Sequence, residues 1–166
     1  GKTISDLQNG ERLRGIAVEE PTLSVDFMVN NSPFAGKSGR FITTRQIRER
    51  LLRELERNVA LRVQEDGGPD TFTVSGRGEL HLSILMETMR REGYEFQVSR
   101  PKVIKKHSPE GILEPFEEVA IEIPEAYVGA VMEKMGPRKG EMIEMRNTDS
   151  GSVHIRFKVP TRGLFG

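Results

Sequence analysis

The sequence predicts an α+β fold, with a complete β-α-β-β-α-β unit followed by a shorter β-α-β-β unit. Three observations predict it. Apolar and polar residues alternate at period two in several short stretches. Between these lie stretches whose apolar residues recur every three to four positions, the stripe of an amphipathic helix. Turns rich in glycine, proline, asparagine and serine separate the two kinds.

The elements follow in order. Leu23, Val25, Phe27 and Val29 alternate with Ser24, Asp26, Met28 and Asn30, a half-buried strand. A loop over 31–41 follows, and Thr43 or Thr44 is placed to cap a helix whose stripe reads Ile47, Leu51, Leu52, Leu55. Glu49 and Arg53 stand at the favourable i,i+4 spacing on its polar side. Val59, Leu61 and Val63 alternate as a second strand, Asp66-Gly67-Gly68-Pro69 turns the chain, and Phe72 and Val74 belong to a third. Ser75-Gly76-Arg77-Gly78 leads into a helix with Leu82, Leu85, Met86 and Met89 on one side. Gly93 ends it, and Tyr94, Phe96 and Val98 form the last strand. With a right-handed crossover in each half, residues 22–99 make a four-stranded antiparallel sheet with both helices on one face, the ferredoxin-like sandwich.

A basic linker is expected over 100–113, after which the pattern restarts over 114–166. Val119, Ile121 and Ile123 alternate; Val128, Val131, Met132 and Met135 form a helix stripe ended by Gly136-Pro137. Met142 and Met145 mark a weaker strand, and Val153, Ile155, Phe157 and Val159 alternate strictly with His154, Arg156 and Lys158. This second ferredoxin-like module is expected to be truncated, lacking its second helix and fourth strand. Because the sheet order of the fold is 4-1-3-2, the strand over 119–123 is expected at an unpaired edge.

Bulk composition narrows the function classes. The chain has 166 residues, 36% hydrophobic and 30% charged, with no cysteine, which excludes a disulfide framework and thiolate metal sites. No run approaches the ~20 apolar residues of a membrane span. Gly1-Lys2-Thr3-Ile4-Ser5-Asp6 carries neither an initiator methionine nor a signal-peptide core, so the chain is expected to begin in mid-protein. Twenty-five basic residues balance 25 acidic ones, but unevenly. Residues 108–133 hold seven glutamates and no lysine or arginine; after Asp149 there are Arg156, Lys158 and Arg162 and no acid. Such polarity steers toward polyanions even at zero net charge, although solvated faces alone also produce it.

Catalytic motifs are weak. Gly36-Lys37-Ser38 invites a phosphate-loop reading, but the required glycine five positions earlier is Asn31. Gly76-Arg77-Gly78 lacks the third glycine of a dinucleotide fingerprint, where His81 stands. His81, His107 and His154 have no partners at metal-ligand spacing. No serine comes with a recognisable base. The chain itself is therefore read as non-enzymatic, with no catalytic, cofactor or metal residues.

Longer motifs carry a resemblance. Ser75-Gly76-Arg77-Gly78-Glu79-Leu80-His81-Leu82 resembles the glycine turn and helix start of domain III in translational GTPases such as elongation factor G. Pro124-Glu125-Ala126-Tyr127-Val128-Gly129 with Met135-Gly136-Pro137-Arg138-Lys139-Gly140 resembles the first helix and following loop of domain V. Asn31-Ser32-Pro33-Phe34-Ala35-Gly36-Lys37-Ser38-Gly39-Arg40-Phe41, Asn58-Val59-Ala60-Leu61-Arg62-Val63 and Arg162-Gly163-Leu164-Phe165-Gly166 narrow it to the TypA/BipA branch. The resemblance implies that 1–21 is the tail of β-barrel domain II, 22–99 domain III, 100–113 a linker and 114–166 part of domain V. It further implies a cytoplasmic parent that hydrolyses GTP with Mg²⁺ through a G domain absent here, and that serves translation, large-subunit assembly and stress adaptation. The expected partners are ribosomal RNA and proteins, mainly of the large subunit, together with the parent's G and C-terminal domains, and no membrane. A free-standing RNA-recognition module on the same topology is disfavoured by the ten aromatics of the whole chain, and a small phosphatase built on Arg40 and Asn31 is the enzyme alternative.

Three groups of site residues follow. Arg138 and Lys139 are expected at a tip facing large-subunit RNA, where a plain helix-end role contributes only about 0.3–1 kcal/mol. Lys37 and Arg40 are expected to point outward from the loop over 31–41, with Phe34 and Phe41 folded back as anchors; Arg162 joins the ribosome-contact set. Leu80 and Ile84 lie opposite the stripe of their helix and are expected to pack against another domain, although scattered surface apolars are common.

Overall fold

The computed structural model describes residues 20–165, so the proposed domain II tail over 1–21 lies almost wholly outside the described residues. The first module contains β1 (Leu23–Met28), α1 (Thr44–Arg57), β2 (Arg62–Gln64), β3 (Thr71–Gly76), α2 (Glu79–Arg91) and β4 (Gln97–Val98). Its sheet order is β2-β3-β1-β4, all antiparallel, with Val25 opposite Val74 and Phe27 opposite Phe72. That is the ferredoxin-like order.

The period-two alternation of β1 resolves as predicted. Leu23, Val25 and Phe27 are buried among Ile47, Leu51, Leu82, Leu85 and Met89 from the helices, with the Phe27 and Phe96 rings stacked at 5.0 Å. Thr43 caps α1 in a reciprocal capping box with Gln46. Gly93, at φ 95°, closes α2 in a Schellman turn: Tyr94 N–H donates to the Met89 carbonyl and Gly93 N–H to that of Arg90.

Several local expectations are corrected. Leu52 is exposed, because at 100° per residue it stands roughly 140° from Ile47. The inward arc takes in Arg50 instead, whose guanidinium bridges Glu92 at 2.5 and 2.9 Å and Glu54 at 2.9 Å. Glu49 pairs back to Arg45 rather than forward to Arg53, which donates to the Tyr94 hydroxyl. Val59 leaves the strand and is exposed, since Leu61 N–H closes a turn onto the Asn58 carbonyl there.

The stretch read as a basic linker, 100–113, carries strands. β5 (Lys102–Val103) pairs with β1 beside β4, and β6 (Lys106–Ser108) forms a hairpin with β7 (Gly111–Leu113). Strands of two or three residues are too short to show a period, so their pairing decides them.

The second module contains β8 (Phe116–Pro124), a 3₁₀ turn (Glu125–Tyr127), α3 (Val128–Met135), β9 (Glu141–Asn147) and β10 (Ser152–Pro160), followed by a second 3₁₀ turn (Thr161–Leu164). Its order, β8-β10-β9, repeats β1-β3-β2 of the first module. Val153, Ile155, Phe157 and Val159 of β10 are buried with Met135 beneath α3. Among the described residues β8 pairs only with β10, the edge position expected of it.

Candidate functional site

The loop over 31–41 is built around one carboxylate that the sequence did not single out. Glu95 is buried and accepts four hydrogen bonds: from the backbone N–H groups of Gly36 (2.9 Å), Ser38 (2.8 Å) and Gly39 (3.0 Å), and from the Asn30 side-chain amide (2.7 Å). Those donors, Gly36 and Ser38 foremost, hold its carboxyl below the usual glutamate range. Asn30 in turn accepts from Ser32 N–H at 3.1 Å and Gln97 Nε2 at 3.0 Å. The Gly93 carbonyl takes both Arg40 and Phe41 N–H, and Glu95 N–H returns to the Phe41 carbonyl. A Cβ at Gly39 would lie 2.8 Å from both Glu95 Cβ and the Gly93 carbonyl oxygen, so only glycine allows this approach. Glu95 stands between the buried Tyr94 and Phe96, just before β4, so its own burial requires a covering segment, and the sequence carries no local signal of that cover.

This latch also bears on nucleotide binding. The N–H groups of Gly36, Ser38 and Gly39 resemble a phosphate cradle, but Glu95 already fills it. Among the described residues no three histidine or carboxylate side chains converge on a metal position. The residues here do not fit GTP or Mg²⁺.

The expected anchors divide. Phe41 packs on the first core and against Tyr94, with ring centroids 4.9 Å apart. Phe34 does not fold back; it is 65% exposed, with Lys37 Nζ 4.8 Å from its ring centre. Lys37 and Arg40 both point outward, as expected.

At the tip after α3, Lys139 occupies the left-handed region at φ 58° and is exposed. Arg138 is half-buried, and its guanidinium donates to the Gly163 carbonyl at 2.7 Å. A Cβ on Gly163 would fall 2.4 Å from the Arg138 carbonyl oxygen, so tip and 3₁₀ turn interlock. Arg162 forms an ion pair with Glu114. Lys139 thus presents its charge outward, whereas Arg138 and Arg162 also hold the second module together.

On α2, Leu80 is 74% and Ile84 57% exposed, opposite buried Leu82, Leu85 and Met89. His81 beside them links both helices. Its Nδ1 accepts from Arg77 N–H at 3.3 Å and its Nε2 lies 2.7 Å from the Asn58 amide. Burial, then the Arg77 charge, lowers its pKa. A Cβ at Gly76 would come within 2.9 Å of His81 and Leu82, which accounts for that glycine by close packing.

The face of the first sheet away from the helices carries Ser24, Asp26 and Met28 beside Ser75, Thr73 and Thr71, of which Ser75 is buried, with no aromatic among them. Asp26 is held ionised by Lys102 Nζ at 2.8 Å and Thr73 Oγ1 at 2.9 Å. That surface lacks the stacking rings of an RNA-recognition sheet.

Residues 111–166 match the sequence profile of the elongation factor G C-terminus. Over the whole chain, similarity runs to proteins named large ribosomal subunit assembly factor BipA. The Bacillus subtilis protein is 52% identical over 166 residues, 100% of this chain and 27% of its own length. The Synechocystis protein is 52% identical over 166 residues, covering 100% and 28%. The Escherichia coli O157:H7 protein is 51% identical over 164 residues, covering 99% and 27%. The chain therefore spans little more than a quarter of these relatives. A crystal structure of a Thermus thermophilus protein superposes with a TM-score of 0.49 at 13% identity, over 94% of this chain and 39% of the other.

Proposed function

Because the chain belongs to the TypA/BipA family, we propose that it is the ribosome-docking and interdomain part of a longer, cytoplasmic, GTP-hydrolysing factor that acts in large-subunit assembly and translation. One observation carries the reading: about half its residues are identical, across its full length, to proteins named large ribosomal subunit assembly factors. Residues 22–99 serve as domain III and 114–166 as part of domain V, joined by the strand-bearing 100–113 segment; 1–21 is the tail of domain II. GTP and Mg²⁺ belong to a G domain outside this chain, and this part contributes no catalytic group.

Its work is geometric. Lys37 and Arg40 on the Glu95-latched loop and Lys139 at the α3 tip are the cations that meet ribosomal RNA. Arg138 and Arg162 brace the second tip while adding to its field. Leu80 and Ile84 pack against a neighbouring domain of the longer protein. The Lys37→Ala, Arg40→Ala, Lys139→Ala triple variant of the longer protein tests this by ribosome co-sedimentation across a salt series. Binding should weaken, and its log–log salt slope should become shallower by roughly 2–3. An unchanged slope removes these residues from the interface.

A further inference from the structure

We infer that Phe34 is a base-stacking residue, which docks an unpaired nucleotide of RNA against its exposed ring while Lys37 and Arg40 hold the flanking phosphates. The inference rests on the docking function proposed above and adds to it the chemistry of the loop's ligand.

Four observations converge on it. First, Phe34 is 65% exposed in a module whose other phenylalanines, Phe27, Phe41, Phe72 and Phe96, join the core or pack on it. Second, the ring is held out by a rigid backbone. Ala35 N–H closes a turn onto the Ser32 carbonyl at 3.0 Å, Lys37 N–H closes the next onto the Phe34 carbonyl at 3.3 Å, and Gly36 supplies φ 84° between them. The Glu95 latch fixes Gly36, Ser38 and Gly39 immediately after. An apolar ring on a mobile loop would collapse onto the surface; here hydrogen bonds prevent that and pre-organise the ring for a ligand.

Third, the surroundings are cationic. Between Asp26 and Glu49 the sequence has Lys37, Arg40, Arg45 and Arg48 and no acid. Arg45 and Arg48 are paired with Glu49 and Glu65, and the carboxylate nearest the loop backbone, Glu95, is buried and consumed by the latch. The outward loop charges are therefore those of Lys37 and Arg40. Fourth, Lys37 Nζ sits 4.8 Å from the Phe34 ring centre, which places a phosphate-binding ammonium within a nucleotide's breadth of a stacking surface. An aromatic plane flanked by cations is the composition that binds unstacked nucleotides; an apolar protein partner would call for further large exposed apolar side chains, and beside Phe34 the loop exposes only the small Pro33 and Ala35.

The test uses the 166-residue chain and a fluorescein-labelled RNA hairpin with an unpaired loop, alongside a fully paired duplex of equal length, followed by anisotropy over a salt series. Phe34→Leu should weaken hairpin binding by roughly fivefold to a hundredfold and leave duplex binding and the salt slope unchanged. Phe34→Tyr should restore hairpin binding. Lys37→Ala should reduce the salt slope on both RNAs by roughly 0.7–0.9. Because Phe34 lies outside the core, matching thermal melts certify that Phe34→Leu is folded. If Phe34→Leu binds the hairpin like the unaltered chain while Lys37→Ala weakens it, stacking is overturned and the docking proposal survives. If the unaltered chain binds neither RNA at low salt, or if Phe34→Leu impairs only contact with another domain of the longer protein, stacking is likewise overturned. The ribosome co-sedimentation above then judges docking independently.

Discussion

The two modules share the path β-α-β-β and the same order of their first three strands, yet their interiors differ. In the first, α2 lays Leu82, Leu85 and Met89 across the sheet, and Val25 and Phe27 reach 0% exposure. In the second, among the described residues, α3 is the one α-helix on the sheet, with Leu164 of the 3₁₀ turn beside it. Ile155 and Phe157 in its centre are as buried as their counterparts, but Met142 and Met145 on β9 remain 44% and 52% exposed, and Val119, Ile121 and Ile123 on β8 are half-buried. A strand pattern thus specifies which side faces inward; closure of the interior depends on the second helix. Three buried side chains of α2 correspond to about 5–9 kcal/mol at roughly 1.5–3 each, comparable to the net stability of a whole domain, about 5–15 kcal/mol.

The largest consequence is in local stability. Amide hydrogen exchange should be slow over Val25 and Phe27, opening only with the whole first module, and faster by orders of magnitude over Ile121 and Ile123 of the edge strand β8. Comparable slow exchange at both, in a monomer, would falsify the contrast.

Core truncation sharpens the same comparison. Phe27 and Phe157 are 0% and 1% exposed. Phe27→Ala should cost about 3–5 kcal/mol in denaturant unfolding, because its enclosed site keeps the cavity. Phe157→Ala should cost less, since the half-covered sheet around it can relax; equal losses would show that α3 alone encloses its site.

The loop latch gives a pH prediction confined to the first module. The folded pKa of Glu95 lies below its unfolded value, so in acid the unfolded state binds the extra proton. The latch contribution is therefore complete above the ordinary glutamate range and is lost as pH falls through that range toward the depressed folded value. Trypsin cleavage after Lys37 and Arg40 in Glu95→Gln at neutral pH should be faster than in the unaltered chain. Acid-induced loosening of the loop, followed by NMR, should disappear in the variant. A variant loop as protected as the original would show that the turns suffice without the carboxylate.

The smallest effect is expected at Leu80. With 74% of its area exposed, Leu80→Asp should change the chain's stability by no more than about 0.5 kcal/mol while weakening domain contact in the longer protein. A loss of several kcal/mol in the chain alone would return Leu80 to the module's own core.

What was legible in the sequence was whatever a single element decides by itself. Period-two alternation over 23–29 and 153–159 follows from the strand's pleat, and the Leu82, Leu85, Met86, Met89 stripe from the helical repeat, so both survive in the structure. The Thr43 cap and the Gly93 stop were readable for the same reason, being local hydrogen-bonding and φ requirements. The outward faces of Leu80 and Ile84 followed from the helical repeat, whereas those of Lys37 and Arg40 were tied to two phenylalanine anchors, of which Phe41 packs on the core and Phe34 does not.

Tertiary structure decided the rest, because it turned on partners far away along the chain. Glu95 becomes a latch only when amides 56 to 59 residues earlier fold over it. Arg50 is drawn into a buried slot by Glu92, 42 residues on, while Leu52, two positions along, is left in solvent. The segment over 100–113 acquires strands by pairing with β1 and with itself, and Arg138 acquires a brace from Gly163, 25 residues away. Backbone periodicity is a property of neighbours in sequence; the burial of a charge is set by whichever distant group compensates it, and no local pattern encodes that partner.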